Sequence, residues 1–390
     1  MAPNSLADLQ ANNLAVLQAL TPADLTPVVR EATGDVDALP AGFTVRVLSD
    51  KGVMSPGGLF VVSGSTTRGR EWSAAVKVFK KQQPEQDPGA MWFWRREPEA
   101  YQSGLLSALP GPVRAPRFYG LDDREDRLWL WTEHVVETAP STWTLDEYGL
   151  AARELGRFNA ACLTGTPLPE YQWLLKDFTR QWSLALGVER GEKLHPWEND
   201  LVLSAFPASA RERIAGLAAE RESFYSVMRE LPQVFAHGDY HRRNLLIRDG
   251  QVVAVDWALC GPMPVGGELH ALVGASCFMR EWDARRIREL EDVTFEAYLA
   301  GLRERGWEGD WRLVRLGYAV SLGLHFGMTA DTLTVLWCAP ERAEFATHLF
   351  GGTPQEVAES WALLGVHALD LIDEARELLA ELRWPLAVGA

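Results

Sequence analysis

Cysteine is scarce in this chain and poorly spaced for chemistry. The four residues, at 162, 260, 277 and 338, form no Cys-x-x-Cys pair, which suits neither a disulfide scaffold nor a zinc site. They read as reduced and mostly buried thiols. No uncharged apolar run is long enough to span a bilayer. The first twenty residues have no basic n-region and carry Asp8, so they do not read as a secretory signal. The expected location is the cytoplasm, with no membrane partner. Repeats and low-complexity segments are absent too. Basic charge is in deficit: 38 Lys and Arg face 53 Asp and Glu, a formal net charge of −15. That deficit argues against nucleic acid as a partner, since phosphates demand a basic surface. It is compatible with a cationic small-molecule substrate, although solubility is the simpler account of it.

The chain has length and tryptophan instead. At 390 residues it is too long for one hydrophobic core, so two lobes are expected. The apolar fraction of 47% is ordinary for a globular protein. Sixteen tryptophans are unusually many. Most should pack in the core, and some could wall a pocket for a ring or a cation.

Leu6, Leu9, Leu14, Leu17 and Leu20 recur at roughly helical spacing. Thr21-Pro22 then opens a second helix as an N-cap followed by a first-turn proline, and Gly34 ends it. From Phe43 the period changes to two. Residues 43–48, 59–62 and 73–79 read as three consecutive antiparallel strands, the first two joined by a Gly- and Ser-rich turn that includes Ser55 and Gly57. Lys77 stands inside the apolar strand Ala74-Ala75-Val76-Lys77-Val78-Phe79, where a lysine is rarely buried unless paired. A snorkelling edge residue is the plain alternative. A helix opens near Arg95 and runs towards Leu109, with Pro98 tolerated in its first turn. A Pro/Gly-rich connection follows, and Leu128 to Val135 reads as a strand. Thr144 to Glu147 is a capping box for a helix to about Cys162. Further helices are expected over 171–186, 208–231, 267–278, 283–305, 311–328 and 354–382. Strands first and then a helical tract make an α+β pattern of segregated elements. The domain expectation is a helical extension (1–40), a β-rich lobe (41–138) and a helical lobe (139–390).

One stretch interrupts the helical tract. It runs His237-Gly238-Asp239-Tyr240-His241-Arg242-Arg243-Asn244, then Leu245-Leu246-Ile247, Asp249-Gly250, and Val252-Val253-Ala254-Val255-Asp256-Trp257. Asp-Gly between short apolar runs predicts a two-residue hairpin, which should return Asp256 close to Asn244. A carboxylate and an amide oxygen at a hairpin mouth suit Mg²⁺ when phosphates complete its shell. Asp239 is left to accept a proton from a hydroxyl, and together these are the parts that phosphoryl transfer needs. The bland readings are an Asx-rich turn, or a metal site of His237, Asp239 and His241. Alternate residues of an extended chain point in opposite directions, which weakens the latter.

His-Gly-Asp-x-His-x-x-Asn, a hairpin and Asp-Trp resemble the catalytic segment of the aminoglycoside phosphotransferase and choline kinase superfamily, small-molecule relatives of the protein kinases. The resemblance is specific in this segment and architectural over about residues 40–350. It implies a two-lobed, protein-kinase-like α+β fold that transfers the γ-phosphoryl of ATP, with GTP not separable from sequence, to a hydroxyl of a small molecule. It implies Asp239 as the base and His241, at the kinase loop-lysine position, as a donor to the γ-phosphoryl oxygens or the substrate, a solvated loop histidine being the plain alternative. Asn244 and Asp256 would be the Mg²⁺ ligands. Lys77 would hold phosphates with Glu97 fixing its direction, Glu99 being the competing partner. The turn with Ser55 and Gly57 would cover the phosphates, and the backbone near Glu133 to Val135 would meet the adenine edge. His237 would hold the loop, and Glu268 would brace it. Arg242 and Arg243 read as surface charges, the alternative being that one of them helps hold the departing phosphate. Asn159, in a helix interior, is only suggestive. Trp173, Trp182, Asp283, His325 and Trp337 are unranked acceptor candidates. Ala339-Pro340-Glu341 lies too far beyond Asp256 to end a protein-kinase activation segment. A monomer or homodimer is expected. The competing reading is a nucleotide-binding regulator that has lost catalysis, against which the full set Lys77, Asp239, Asn244 and Asp256 argues.

Overall fold

The period-two stretches form one antiparallel sheet in the computed structural model, which describes residues 6–48, 57–82 and 86–384. The chain divides into two compact units, Met1–Leu109 with Arg114–Glu137, and Pro110–Val113 with Thr138–Ala390.

The first unit contains α1 (Leu6–Gln18), α2 (Pro22–Thr33), β1 (Pro40–Val47), β2 (Leu59–Thr66), β3 (Glu71–Lys80), α3 (Arg96–Gln102), β4 (Phe118–Asp123) and β5 (Arg127–Glu133). Thr21 caps α2 in a capping box with Asp24, and Gly34 closes it in the left-handed region at φ 64°. The sheet order is β1-β2-β3-β5-β4, antiparallel throughout. Side chains alternate across a strand. Trp72, Ala74, Val76 and Val78 of β3 therefore share one face, and they pack with Leu17, Leu25, Val28, Trp129 and Trp131 into a core under the two helices. Lys77 falls on the other face by the same alternation.

The second unit contains α4 (Leu145–Leu163), α5 (Phe178–Leu186), α6 (Val188–Leu194), α7 (Asp200–Ala205), α8 (Ala208–Glu230), β6 (Gln233–Ala236), β7 (Leu245–Arg248), β8 (Gln251–Ala254) and β9 (Gly261–Pro264). It continues with α9 (Ser276–Phe278), α10 (Ile287–Glu304), α11 (Trp311–Leu322), α12 (Ala330–Trp337), α13 (Ala343–Phe350) and α14 (Pro354–Glu381). Capping boxes at Thr144 and Thr353 start α4 and α14. Among the described residues no helix is long and apolar enough to cross a membrane.

Several expectations change here. β4 was not anticipated, because six residues with a pairing irregularity before Gly120 carry little alternation. The helix expected over 171–186 begins only at Phe178, since Asp177 sits at φ 52° and Leu175 donates its N–H to the Cys260 carbonyl. α3 stops at Gln102, ahead of Gly104 at φ 79°. β6 pairs with β9, so the helical tract is interrupted by two ladders, not one. The expected helices over 267–278 and 311–328 contain π-helical segments, Ala271–Ala275 and Gly323–Gly327. The short helices α6, α7, α12 and α13 fell below what periodicity can detect.

Candidate active site

Lys77 is partnered. Its Nζ lies 2.6 Å from Glu97 Oε2, with side-chain exposures of 13% and 4%. Glu99 pairs instead with Arg95 at 2.7 Å. Arg96, the neighbour of Glu97, is 0% exposed and donates to the carbonyls of Met91 and Ala90 at 2.9 and 2.6 Å. The Glu133 side chain is used structurally, taking two bonds from Arg114 at 2.7 and 3.3 Å and one from the Arg117 N–H. Burial acts to raise its pKa, and these donors outweigh it and hold the carboxyl below its ordinary value. Val135 is buried beyond the end of β5. Gly57 gives its carbonyl to Asn13 at 2.7 Å. Ser55 and the rest of its turn, 49–56, lie outside the described residues.

The loop in the second unit starts from β6, and its hairpin forms as predicted. Arg248 faces Gln251 across Asp249 and Gly250, both left-handed at φ 53° and 78°, the geometry an Asp-Gly turn permits. The Val255 N–H closes the mouth onto the Asn244 carbonyl at 2.9 Å. Asp256 follows at once, itself at φ 63°. For a residue with a Cβ that conformation is uncommon and is found where surroundings over-determine it, often at functional sites.

Inside the loop, hydrogen bonds fix the tautomer of His237 and the orientation of the side chains around Asp239. His237 donates Nε2–H to the Val255 carbonyl at 2.8 Å and accepts the Asp239 N–H on Nδ1, so it is a neutral tautomer with a structural task. Burial takes its pKa down to about 4. The His241 Nδ1 accepts the Arg243 N–H at 3.2 Å, which leaves Nε2 to face Asp239 Oδ1 at 3.3 Å. The Asn244 amide nitrogen donates to Asp239 Oδ2 at 2.8 Å, so its oxygen points away from Asp239. Burial acts to raise the Asp239 carboxyl; the neighbouring His241, His237 and Asn244 outweigh it and hold the pKa below the ordinary value. The zinc alternative has no geometry behind it, because His237 faces a carbonyl while His241 faces Asp239. Among the described residues no three His, Cys, Asp or Glu groups cluster to hold a metal. An amide oxygen at Asn244 and a carboxylate at Asp256 do fit Mg²⁺ that takes its remaining ligands from phosphate and water.

A buried second layer holds the loop. Glu268, 1% exposed, accepts the Gly238 N–H at 2.7 Å, and its other oxygen has no hydrogen-bond partner among the described residues. Burial pushes its pKa up to about 8, which keeps it a neutral acid at pH 7. Gly238 is at φ 83°, and a Cβ there would stand 2.2 Å from the Leu259 carbonyl oxygen, so only glycine fits. Tyr240 donates to the Ala151 carbonyl in α4 at 3.1 Å. Trp257, 0% exposed, lies edge-on to the His237 ring at 4.6 Å. Asn159 joins β6 to α10 through the Phe235 carbonyl at 3.1 Å and the Tyr298 hydroxyl at 2.8 Å, so its place in a helix interior is structural.

Two expectations are corrected. Arg242 and Arg243 are not surface charges. Arg242 is 9% exposed, lies 4.6 Å over the Trp143 ring and donates to the Ser141 and Leu245 carbonyls, both at 3.2 Å. Arg243 pairs with Glu281 at 2.7 Å and donates to the Met279 and Leu349 carbonyls. Of the acceptor candidates, Trp182 and His325 stack at 4.0 Å, with Phe178 and His270 against them. Asp239 acts electrostatically on His270. Trp173 stacks on Tyr171, Trp337 on Phe345, and Asp283 caps the turn before α10. The Ala339-Pro340-Glu341 triplet lies at a single 3₁₀ turn, Pro340–Arg342.

The model of the family described as "Phosphotransferase enzyme family" matches residues 78–309, more than half of the chain, a span that begins one residue after Lys77 and contains the whole loop and hairpin. Solved structures with a similar fold include a choline kinase from Cryptosporidium parvum, 13% identical, with 93% of this chain and 99% of that chain covered and a TM-score of 0.55. The microcompartment-associated aminopropanol kinase is 16% identical, with 94% and 98% covered and a TM-score of 0.51. An aminoglycoside phosphotransferase from Alicyclobacillus acidocaldarius is 15% identical, with 86% and 93% covered and a TM-score of 0.51. At these identities the likeness is one of fold. None of the curated proteins matches the chain.

Proposed function

Because this chain belongs to the phosphotransferase enzyme family, we propose that it is a small-molecule kinase that transfers the γ-phosphoryl group of ATP to a hydroxyl of a small acceptor with Mg²⁺ as cofactor. The observation that carries the reading is the orientation of Asn244. Its amide nitrogen is spent on Asp239, so one side chain both aims the base and presents an oxygen for the metal. Asp239 orients the acceptor hydroxyl. Because its own pKa is lowered, it is a weak base and takes the proton late, as the new oxygen–phosphorus bond forms. His241 holds the Asp239 carboxylate from its other oxygen. Lys77, directed by Glu97, holds phosphate oxygens. Mg²⁺ bound by Asn244 and Asp256 neutralises phosphate charge. Half-buried Trp182, stacked on enclosed His325, is our assignment for acceptor contact, and the acidic chain is compatible with a cationic acceptor such as an amino alcohol or aminoglycoside.

The test is Mg²⁺-dependent ADP release against a panel of amino alcohols, sugars and aminoglycosides, with Asp239→Asn alongside. One responding acceptor class is expected, with turnover reduced about 1,000-fold or more in the variant. Wild-type turnover by Asp239→Asn would remove the base assignment. Tight Mg·ATP binding without turnover on any acceptor would favour a catalytically inactive regulator.

A further inference from the structure

The N-terminal helices cover one face of the sheet with leucine and valine, and one residue in that layer does not fit a purely covering role. Asn13, in α1, is 4% exposed. Its Nδ2 donates to the Gly57 carbonyl at 2.7 Å, and its Oδ1 accepts from Arg127. A guanidinium can only donate, so Arg127 decides which end of the amide faces Gly57. Arg127 is steadied in turn by Asp126 at 3.2 Å. On its other side the Gly57–Gly58 backbone is locked to β3. The Val78 N–H donates to the Gly58 carbonyl at 3.0 Å, and Leu59 is the register partner of Lys77. One amide therefore ties the helical layer to the backbone beside the lysine. Packing does not force it there, because a cavity of about 220 Å³ opens at the contact, walled by Leu9, Asn12, Val78 and Lys80.

We propose that Asn13 is a positioning residue for nucleotide binding, its amide holding the Gly57 backbone where the phosphates are met. Through Asn13, and not through its covering leucines, the helical extension is then coupled to nucleotide binding. This rests on the phosphotransferase reading above. Covering the sheet is the task of Leu17, Leu25 and Val28, and it does not require a bridging amide.

Isothermal titration calorimetry of Mg·ATP on the full chain tests it, comparing wild type, Asn13→Asp and Leu17→Ala, each with its thermal midpoint. The carboxylate introduced by Asn13→Asp would still accept from Arg127, would lose the donor to Gly57, and would set an oxygen against that carbonyl. Asn13→Asp should raise the Kd for Mg·ATP about tenfold with the midpoint moved by less than about 2 °C. Leu17→Ala should lower the midpoint through a core cavity and leave the Kd of the folded protein unchanged. Wild-type affinity in Asn13→Asp overturns the proposal. Equal weakening in Leu17→Ala overturns it as well, since the effect would then belong to the helical layer as a whole. Folded wild-type protein that binds no Mg·ATP removes the phosphotransferase reading and this proposal together, whereas normal wild-type binding with an indifferent Asn13→Asp removes only the latter.

Discussion

Two regions, the Lys77 site in the first unit and the Asp239 loop in the second, handle buried polar groups in opposite ways. In the first, Lys77 and Glu97 are enclosed as an ion pair at 2.6 Å. In the second, the groups around Asp239 are kept neutral: His237 and His270 by pKa values of about 4, Glu268 by one of about 8. The difference follows from what each has nearby. A buried charge persists when its counter-charge is in contact and is otherwise suppressed by desolvation. The consequence is a division of labour. The first unit holds fixed charge suited to phosphate. In the second, Asp239 keeps its carboxylate, with its pKa lowered, while buried Glu268 behind the loop adds no negative charge at neutral pH.

Breaking the first arrangement should have the largest effect on stability. Lys77→Met strands Glu97, at 4% side-chain exposure, without its cation. Removing one partner of a buried pair costs roughly 3–5 kcal/mol. Hydrogen exchange should show that loss in β3 and α3, with Mg·ATP binding abolished. Adding Glu97→Leu should restore stability and leave binding absent; binding by the double variant would show that neither charge is needed.

Glu268 sharpens the contrast. Glu268→Gln keeps a neutral acceptor for the Gly238 N–H and should retain turnover near wild type. Glu268→Ala leaves that donor unpaired, and loop displacement should lower turnover roughly 10- to 100-fold. If Gln is as damaging as Ala, the neutral-acid assignment fails.

The smallest effect is the pH dependence of stability. Between pH 4 and 6.5 the unfolded chain binds protons at His237 and His270 that the folded chain excludes, so these groups make stability rise with pH. His325, whose pKa burial also lowers, acts in the same direction. Glu268 acts oppositely between 4.5 and about 8, where the folded state keeps a proton that the unfolded state has lost. From these groups stability should peak near pH 6.5 and then fall by about 1.4 kcal/mol per pH unit until Glu268 ionises. Thermal midpoints read across pH 4–9 check this, and Glu268→Gln should flatten the alkaline limb. An alkaline decline that survives the substitution would assign it to another group.

Much of this is legible in the sequence. The loop and hairpin could be read because their signals are local: Asp-Gly demands a left-handed turn, and two short apolar runs fix the register around it. The capping boxes at Thr21, Thr144 and Thr353 are equally local. The choice of Glu97 over Glu99 was not settled by sequence, because both stand in one helical turn and only the fold brings Glu97 to Lys77 while Glu99 pairs with Arg95. The burial of Arg242 and Arg243 was missed for a related reason. Two adjacent arginines in a polar loop look solvated, and their partners at Ser141, Glu281 and Leu349 lie between 38 and 106 residues away.

By itself, the sequence determined the order of strands before helices, the turn at Asp249-Gly250, and the residue types available for phosphoryl transfer. These depend on periodicity and backbone preference, which act over a few residues. Tertiary structure alone decided which groups are charged. Whether Glu268 is an acid or a carboxylate, which nitrogen of His237 carries the proton, and which end of Asn13 meets Gly57 depend on desolvation and on partners brought from distant chain segments. Those energies exist only once the chain has folded around them.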